Sequence, residues 1–172
     1  MNRRVALPPD PDQAWRALDL TTRMVSHAEG KAALTLASAG VVGGALFSTV
    51  RDADRLDAAA ACAAAACGLL ILASSLFAVV SLWSRVWRRD EATSLLYFHH
   101  IARRYPDSPQ AYVEALCDLT RERERLAAGI AAQIWANAHV ATRKFHWVNL
   151  GIGALLGGLA LLGVTCALLA LR

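Results

Sequence analysis

The sequence predicts an all-α integral membrane protein with about three transmembrane helices and long cytosolic helices. The first observation is a conflict in composition, because 56% of the 172 residues are hydrophobic although 19% are charged. The second is that the charges are segregated: residues 32–50, 58–84 and 145–171 contain no Asp, Glu, Lys or Arg. A bilayer core of about 30 Å needs about 20 helical residues, so each charge-free run is long enough to cross it.

A soluble helical bundle with charge-free buried helices is the alternative that the same pattern allows. Buried helices of soluble proteins are usually shorter and keep a polar stripe, which disfavours this alternative. We therefore expect one membrane domain over residues 1–172, with spans at about 32–50, 58–84 and 148–171. The cytosolic helical segment is expected at about 85–147.

The distribution of lysine and arginine predicts the orientation of the spans. Five of these residues precede the first span and ten lie between the second and third, whereas the first hairpin holds two and the C-terminus one. The positive-inside rule then places the N-terminus and residues 85–147 in the cytosol of a multi-pass protein of the cytoplasmic membrane. Trp83, Trp87 and Trp147 lie where aromatic residues of the cytosolic interface are expected.

The helix boundaries can be predicted from local signals. Asp10 followed by Pro11 predicts a helix start, and this helix is expected to continue into the first span. Ser108 and Pro109 give the same signal after the second span. No breaker follows before the third span, so the sequence predicts one long helix from Pro109. Whether that helix is continuous with the span itself stays open.

The long helix is predicted to have one amphipathic face within a sector of about 120°. Its apolar members are Leu116, Leu119, Leu126, Ile130, Ile134, Ala138, Ala141 and Phe145. Arg123 and Asn137 interrupt this face. Either they set the register of a helix bundle, as buried polar residues do in coiled coils, or they contact a ligand. As ligand contacts, Arg123 would offer a donor fork to a phosphate and Asn137 an amide to a base.

Two further patterns lie in or near the spans. Gly40 and Gly44 are four residues apart, as are Gly153 and Gly157, and such pairs let helices approach closely in lipid. Glycine is also common in membrane helices, so the pairs do not by themselves establish a contact. A polar and aromatic stripe either stacks an aromatic ligand or lies among the headgroups. It consists of Trp135, His139, Thr142 and His146.

The sequence favours neither an enzyme nor a metalloprotein. The four cysteines have no paired spacing for a zinc site or a disulfide framework, and we expect them to be small apolar fillers. His99 and His100 are adjacent, so their side chains diverge on a helix. We therefore expect no catalytic residues, no metal site, no cofactor and no nucleic-acid partner. Transport is disfavoured because the spans lack ionisable residues.

Three sequence blocks stand at the ends of the charge-free runs. They are Glu29, Gly30 and Lys31 before the first run, residues 95–102 after the second, and Gln133, Ile134, Asn137, Ala138, Lys144 and Phe145 before the third. Their order and spacing resemble the Pycsar effector family, bacterial antiphage proteins of pyrimidine cyclase systems, over about residues 20–171. Glu29 stands where the family pattern has Asp.

The resemblance implies a membrane effector that responds to cyclic CMP or cyclic UMP from a partner pyrimidine cyclase. Activation would impair the cytoplasmic membrane and stop growth before the phage spreads, which is abortive infection. The implied partners are the lipid bilayer, the nucleotide and further copies of the chain in a homo-oligomer. A structural scaffold for a protein partner and a holin-like or small transport protein remain as alternatives.

A ligand site would have to be built from the cytosolic helices, because the chain carries no β-rich nucleotide-binding module. The residues expected to meet the cyclic phosphate are basic. They are Arg103, Arg104, Arg123, Arg143 and Lys144. A pyrimidine could stack on Tyr97 or Trp135 and pair its edge with Asn137. The long helix joined to the third span would then be the element with two states.

Overall fold

The structure is a computed structural model, and every regular element in its described part is an α-helix. It covers residues 10–53, 57–83 and 95–171, with only the backbone of Phe98 and His99. Its helices are α1 Pro11–Arg51, α2 Ala58–Trp83, α3 Phe98–Arg104, α4 Pro109–Arg121 and α5 Arg123–Ala170. Helices α1, α2 and α5 are long and apolar enough to cross a membrane. The predicted all-α class with three candidate spans is confirmed, while Trp87 lies outside the described residues.

Helix α1 begins where the sequence signal placed its start. The Asp10 carboxylate accepts a hydrogen bond from the Asp12 backbone N–H at 3.0 Å, and the Asp10 carbonyl accepts one from Ala14 N–H at 3.2 Å. The helix then continues to Arg51 without interruption, through the whole first charge-free run. Asp57 caps α2 in the same way, since its carboxylate accepts from Ala60 N–H at 2.9 Å.

The predicted long helix from Pro109 is wrong at one position. The helix is interrupted at Glu122, which has extended backbone angles of φ −106° and ψ 102° and separates α4 from α5. Glu122 caps α5, because its carbonyl accepts from Leu126 N–H at 3.0 Å while its own backbone stays extended. No glycine or proline marks this position; residues 121–125 are all charged, so local sequence carries no apolar pattern that requires helix there.

The question left open by the sequence, the continuity of the third span, has a clear answer. Helix α5 runs from Arg123 to Ala170 as one helix of 48 residues. At 1.5 Å per residue this length is more than twice what a bilayer core requires. The third span is therefore the C-terminal half of a single helix.

The chain divides into two compact units, which share α1 and α5. We call Ser26–Trp87 with Ala141–Arg172 the span unit, and Met1–Val25 with Arg88–Val140 the polar unit. The span unit contains most of α1, all of α2 and the C-terminal part of α5. The polar unit contains the beginning of α1, helices α3 and α4, and the N-terminal part of α5.

Small side chains on α2 donate hydrogen bonds to backbone carbonyls of α5 at seven-residue intervals. The bonds are Ser81 Oγ to the Lys144 carbonyl (3.2 Å), Ser74 Oγ to Gly151 (2.8 Å) and Cys67 Sγ to Gly158 (3.0 Å). The numbers rise on α2 as they fall on α5, so the two helices are antiparallel. A repeat of seven residues is the period of left-handed helix pairs. We call these three bonds the α2–α5 ladder.

The buried residues of α1 and α2 follow the same repeat, alternating steps of three and four. On α1 within the span unit they are Ala28, Ala32, Thr35 and Ala39. On α2 the series contains Cys67, Ile71, Ser74, Ala78 and Ser81. Most of these side chains are small, which allows the close backbone approach that helix association in lipid requires.

Only some of the glycines that permit this approach are among those predicted from spacing. A Cβ at Gly151 would lie 3.3 Å from the Ser74 carbonyl oxygen, and one at Gly158 would lie 3.3 Å from Ile71. Of the four glycines singled out by spacing, Gly157 lies close to another helix, since a Cβ there would be 3.0 Å from Leu70 of α2. A Cβ added at Gly40, Gly44 or Gly153 would meet no atom within 4 Å. Spacing alone does not say which side of a helix faces its neighbour.

Substituting Gly151, one of the two buried glycines of the α2–α5 ladder, should destabilise the span unit. We expect Gly151→Leu to lower the free energy of unfolding by about 1–3 kcal/mol, because the new side chain overlaps the α2 backbone. The matched control is Gly153→Leu on the same helix, where there is open space. Unfolding in mixed micelles, followed by circular dichroism, measures the difference. Equal losses in both variants would contradict the observed helix packing.

Candidate functional site

An ion pair joins α1 to α5 within the span unit. Lys144 Nζ lies 2.7 Å from Glu29 Oε1, and the lysine side chain is fully buried while the glutamate side chain is 33% exposed. Three other ion pairs in the described residues join positions three or four apart in one helix, and all their side chains are more than half exposed. Such exposed pairs contribute little to stability. The Glu29–Lys144 pair is the one among these four that links two helices.

Phe145, the residue that follows Lys144 on α5, also contacts α1. Lys31 Nζ is 5.6 Å from the centre of the Phe145 ring, within the range of a cation–π interaction. The His27 ring also contacts the Phe145 ring, and the two ring centres are 6.5 Å apart. The first and third sequence blocks, which are separate in the chain, therefore meet in the structure through Glu29 with Lys144 and Lys31 with Phe145.

A polar cluster joins α1 to α5 within the polar unit. Gln133 Nε2 donates to Asn137 Oδ1 at 3.2 Å, and Asn137 Nδ2 donates to Thr22 Oγ1 at 3.5 Å. Gln133 is buried, with 8% of its surface exposed. The two ends of the Asn137 amide are thus both engaged by protein groups. Thr22 was not anticipated, because a threonine in the polar part of a helix has no distinguishing sequence signal.

The aromatic candidates are also in the polar unit. Trp135 is 58% exposed, and its ring centre lies 4.2 Å from that of His139 on the next turn of α5. His139 Nδ1 is 2.9 Å from the Trp135 carbonyl oxygen, which orients the imidazole against the indole. Tyr97 precedes α3 and meets the His100 ring edge to face at 5.0 Å. Trp135 therefore presents a large exposed aromatic surface.

The basic candidates differ in their surroundings. Arg103 and Arg104 lie exposed in the last turn of α3, and the Arg104 guanidinium is 5.7 Å from the Tyr105 ring centre. Arg123 is exposed as the first residue of α5, which follows from the break at Glu122. Arg143 is exposed in the span unit. A ligand contact at any of these residues stays a prediction.

Two of the eight candidates belong to the span unit, and six to the polar unit. Arg143 and Lys144 are in the span unit. The six are Tyr97, Arg103, Arg104, Arg123, Trp135 and Asn137. Lys144 is enclosed and paired with Glu29, so a ligand that binds its ammonium group directly would have to replace that carboxylate.

The buried face of α5 differs from the predicted apolar face. The buried residues in its N-terminal and central parts are Leu126, Ile130, Gln133, Ala141, Lys144 and Val148. Ala138, which was predicted on the face, is exposed. The prediction was wrong here because it counted apolar residues only, whereas Gln133 and Lys144 are buried with hydrogen-bonding partners on other residues.

Polar contacts that join α1 to α5 occur within the span unit and within the polar unit. Among the described residues, no three His, Cys, Asp or Glu side chains lie close enough together to hold a metal ion. The polar groups nearest to the spans are instead joined to each other across helices. Such contacts can hold helices in one arrangement and exchange partners in another.

Comparisons with known proteins agree with the resemblance in the three sequence blocks. The model of the Pycsar effector protein domain matches residues 13–171. The Pycsar effector protein PtPycTM of Propioniciclava tarda is 32% identical over 160 residues, which cover 92% of this chain and 79% of that protein. No solved structure matches the chain.

The ion pair should show strong energetic coupling between its two residues. In a double-mutant cycle with Glu29→Ala and Lys144→Ala, we expect a coupling free energy of about 3 kcal/mol, because either single change removes an opposite charge that lies 2.7 Å from a partly or fully buried one. The Asp19–Arg23 pair on α1 is the control, and its exposed side chains should couple by less than about 1 kcal/mol. Unfolding in mixed micelles measures both; similar values for the two pairs would contradict the structural role of Lys144.

Proposed function

The chain belongs to the Pycsar effector family, and on this premise we propose that a cyclic pyrimidine mononucleotide activates it to impair the cytoplasmic membrane. Membership makes it an antiphage defence effector with candidate transmembrane helices. We propose that the signal is cyclic CMP or cyclic UMP from a partner pyrimidine cyclase. Loss of membrane integrity would then end the infected cell's growth, which is abortive infection.

The continuity of α5 is the structural observation that carries this proposal. Trp135 and Asn137 lie on α5 in the polar unit, and the same helix continues without a break to Ala170 as the third candidate span. A ligand shifts an equilibrium only through different affinities for two states. A ligand that changes the contacts of α5 near Asn137 therefore acts on the helix whose other half packs against α2.

The ligand would use groups of the polar unit. We propose that a pyrimidine stacks on the exposed Trp135 ring, since such stacking is worth about 1–3 kcal/mol per base. Its edge would exchange with the hydrogen bonds that Asn137 now makes to Gln133 and Thr22. The exposed Arg103 and Arg123 guanidinium groups are suited to the cyclic phosphate.

The remaining features of the proposal concern topology and assembly. We propose a multi-pass protein with the N-terminus and residues 85–147 in the cytosol, which the distribution of basic residues supports. We propose neither catalysis nor a cofactor, since the nucleotide would act as an activating ligand. A homo-oligomer would multiply the effect of each activated chain on the bilayer.

Dye release from vesicles tests the proposed activity. Full-length protein in vesicles of phosphatidylethanolamine and phosphatidylglycerol should release a trapped dye on addition of cyclic CMP or cyclic UMP. Cyclic AMP is the control nucleotide and should leave the vesicles tight. Release that ignores all nucleotides would contradict gating, and tight vesicles in every condition would favour the scaffold alternative.

The role of Asn137 in recognition can be tested separately from leakage. We expect Asn137→Ala to weaken binding of the activating nucleotide roughly 10- to 100-fold, because the base edge loses its hydrogen-bonding partner. Asn149→Ala is a matched control, since Asn149 is an exposed asparagine on the same helix. Isothermal titration calorimetry in detergent measures both affinities. Unchanged binding by the Asn137 variant would remove this residue from the ligand site.

A further inference from the structure

Lys144 occupies an unusual position in the α2–α5 ladder. The buried positions that follow it at intervals of seven are Gly151, Gly158 and Thr165, all of them small. Lysine alone brings a charge into this series, and its side chain is completely enclosed. Replacing a buried ion pair with well-packed apolar residues is often neutral or stabilising, so stability alone does not account for a charge here.

The same residue contacts both neighbouring helices of the span unit. Its ammonium group bonds to Glu29 on α1 at 2.7 Å, and its carbonyl accepts the Ser81 hydroxyl of α2 at 3.2 Å. Lys144 is also the last charged residue of α5 before the third charge-free run. Separation of Glu29 from Lys144 would therefore loosen the three helices at one level.

We propose that the Glu29–Lys144 ion pair is an autoinhibitory latch that keeps the three span helices closed until the effector is activated. This inference rests on the proposed membrane-impairing function and adds its regulation. In the closed state Lys144 is paired and buried. In the activated state the pair is separated, and water or headgroup phosphate meets the ammonium group instead.

The surroundings of the two charges favour an ion pair that can separate over one that stays permanently closed. The Glu29 side chain is one-third exposed, so the pair can be reached from the glutamate side although the lysine is enclosed. An unpaired ammonium cannot stay in the enclosed position at acceptable cost, because desolvation of a lone charge is strongly unfavourable. Once Glu29 leaves, Lys144 must move to a more polar place. The pair therefore has two discrete arrangements.

Nucleotide-free vesicles test the latch directly. The full chain would be reconstituted with Glu29→Gln, Lys144→Met, or the exchanged pair Glu29→Lys with Lys144→Glu. We expect Glu29→Gln to release dye roughly 100-fold faster than the unchanged protein without any nucleotide, because it strands the enclosed Lys144 ammonium group and so favours the open state. Lys144→Met should also release dye faster, because the attraction that joins α5 to Glu29 is lost. The exchanged pair should return release to near the original rate, since opposite charges face each other again.

The matched control is a basic residue of α1 that pairs within its own helix. Arg23 lies six residues before Glu29, is exposed, and its guanidinium is 2.9 Å from the Asp19 carboxylate. Because it makes no part of the latch, Arg23→Met should keep nucleotide-free vesicles tight. This control separates loss of the latch from loss of any positive charge on α1.

A milder pair of variants keeps the test decisive if the charge variants do not insert. Ser81→Ala removes the hydroxyl that bonds the Lys144 carbonyl but leaves both charges in place. We expect nucleotide-free release to rise roughly 3- to 15-fold, the range for a hydrogen bond between membrane helices. Ser75→Ala is the control, since the Ser75 hydroxyl bonds Ile71 O in its own helix. Circular dichroism and vesicle flotation verify folding and insertion of all variants.

The outcomes separate failure of the latch from failure of the proposed function. If the unchanged protein releases dye with nucleotide while inserted single variants stay tight without it, the latch is wrong and gating stands. If the exchanged pair leaks as much as the single variants, charge pairing is not what keeps the helices closed. Vesicles that stay tight in every arm, with and without nucleotide, would overturn both the latch and the membrane-impairing function.

Discussion

The close contact between α2 and α5 is the constraint on which the remaining structure depends. Lipid tails are as apolar as leucine, so helices in a bilayer associate through close packing and hydrogen bonds. Here both come from one repeat of seven residues, with Ser81, Ser74 and Cys67 opposite carbonyls of α5. The absence of a side chain at Gly151 brings the backbones together. The register of this contact sets Lys144 at a level where Glu29 of α1 can reach it.

The ion pair connects packing with function. In the proposed latch, the charge in this close-packed contact is stable only while its partner is present, which gives the contact a closed arrangement and a distinct open one. Helix α5 carries Lys144 in the span unit and Asn137 in the polar unit. In the proposed function, a signal received by the polar unit and a response in the span unit are therefore changes in one continuous helix.

The sequence indicated which residues belong to the candidate site better than it indicated how they are arranged. The family resemblance pointed to Glu29, Lys31, Lys144 and Phe145, and the structure brings these together across two helices. It did not say that Lys144 would be enclosed, because counting apolar residues along α5 excludes a lysine from the buried face. Thr22 was hidden for a related reason: its contact with Asn137 joins positions more than a hundred residues apart.

The sequence by itself determined the class of protein and the position of its three apolar helical runs. Charge-free runs of about twenty residues identify spans because the bilayer excludes charge, and Asp10 with Pro11 specifies a helix start because the cap is local. The tertiary structure alone decided the break at Glu122, the face of each helix that is buried, and the choice of Gly151 over Gly153 at the contact. The buried faces and the choice of glycine depend on which helix lies opposite. A polar side chain can be buried when a group on another helix forms a hydrogen bond with it.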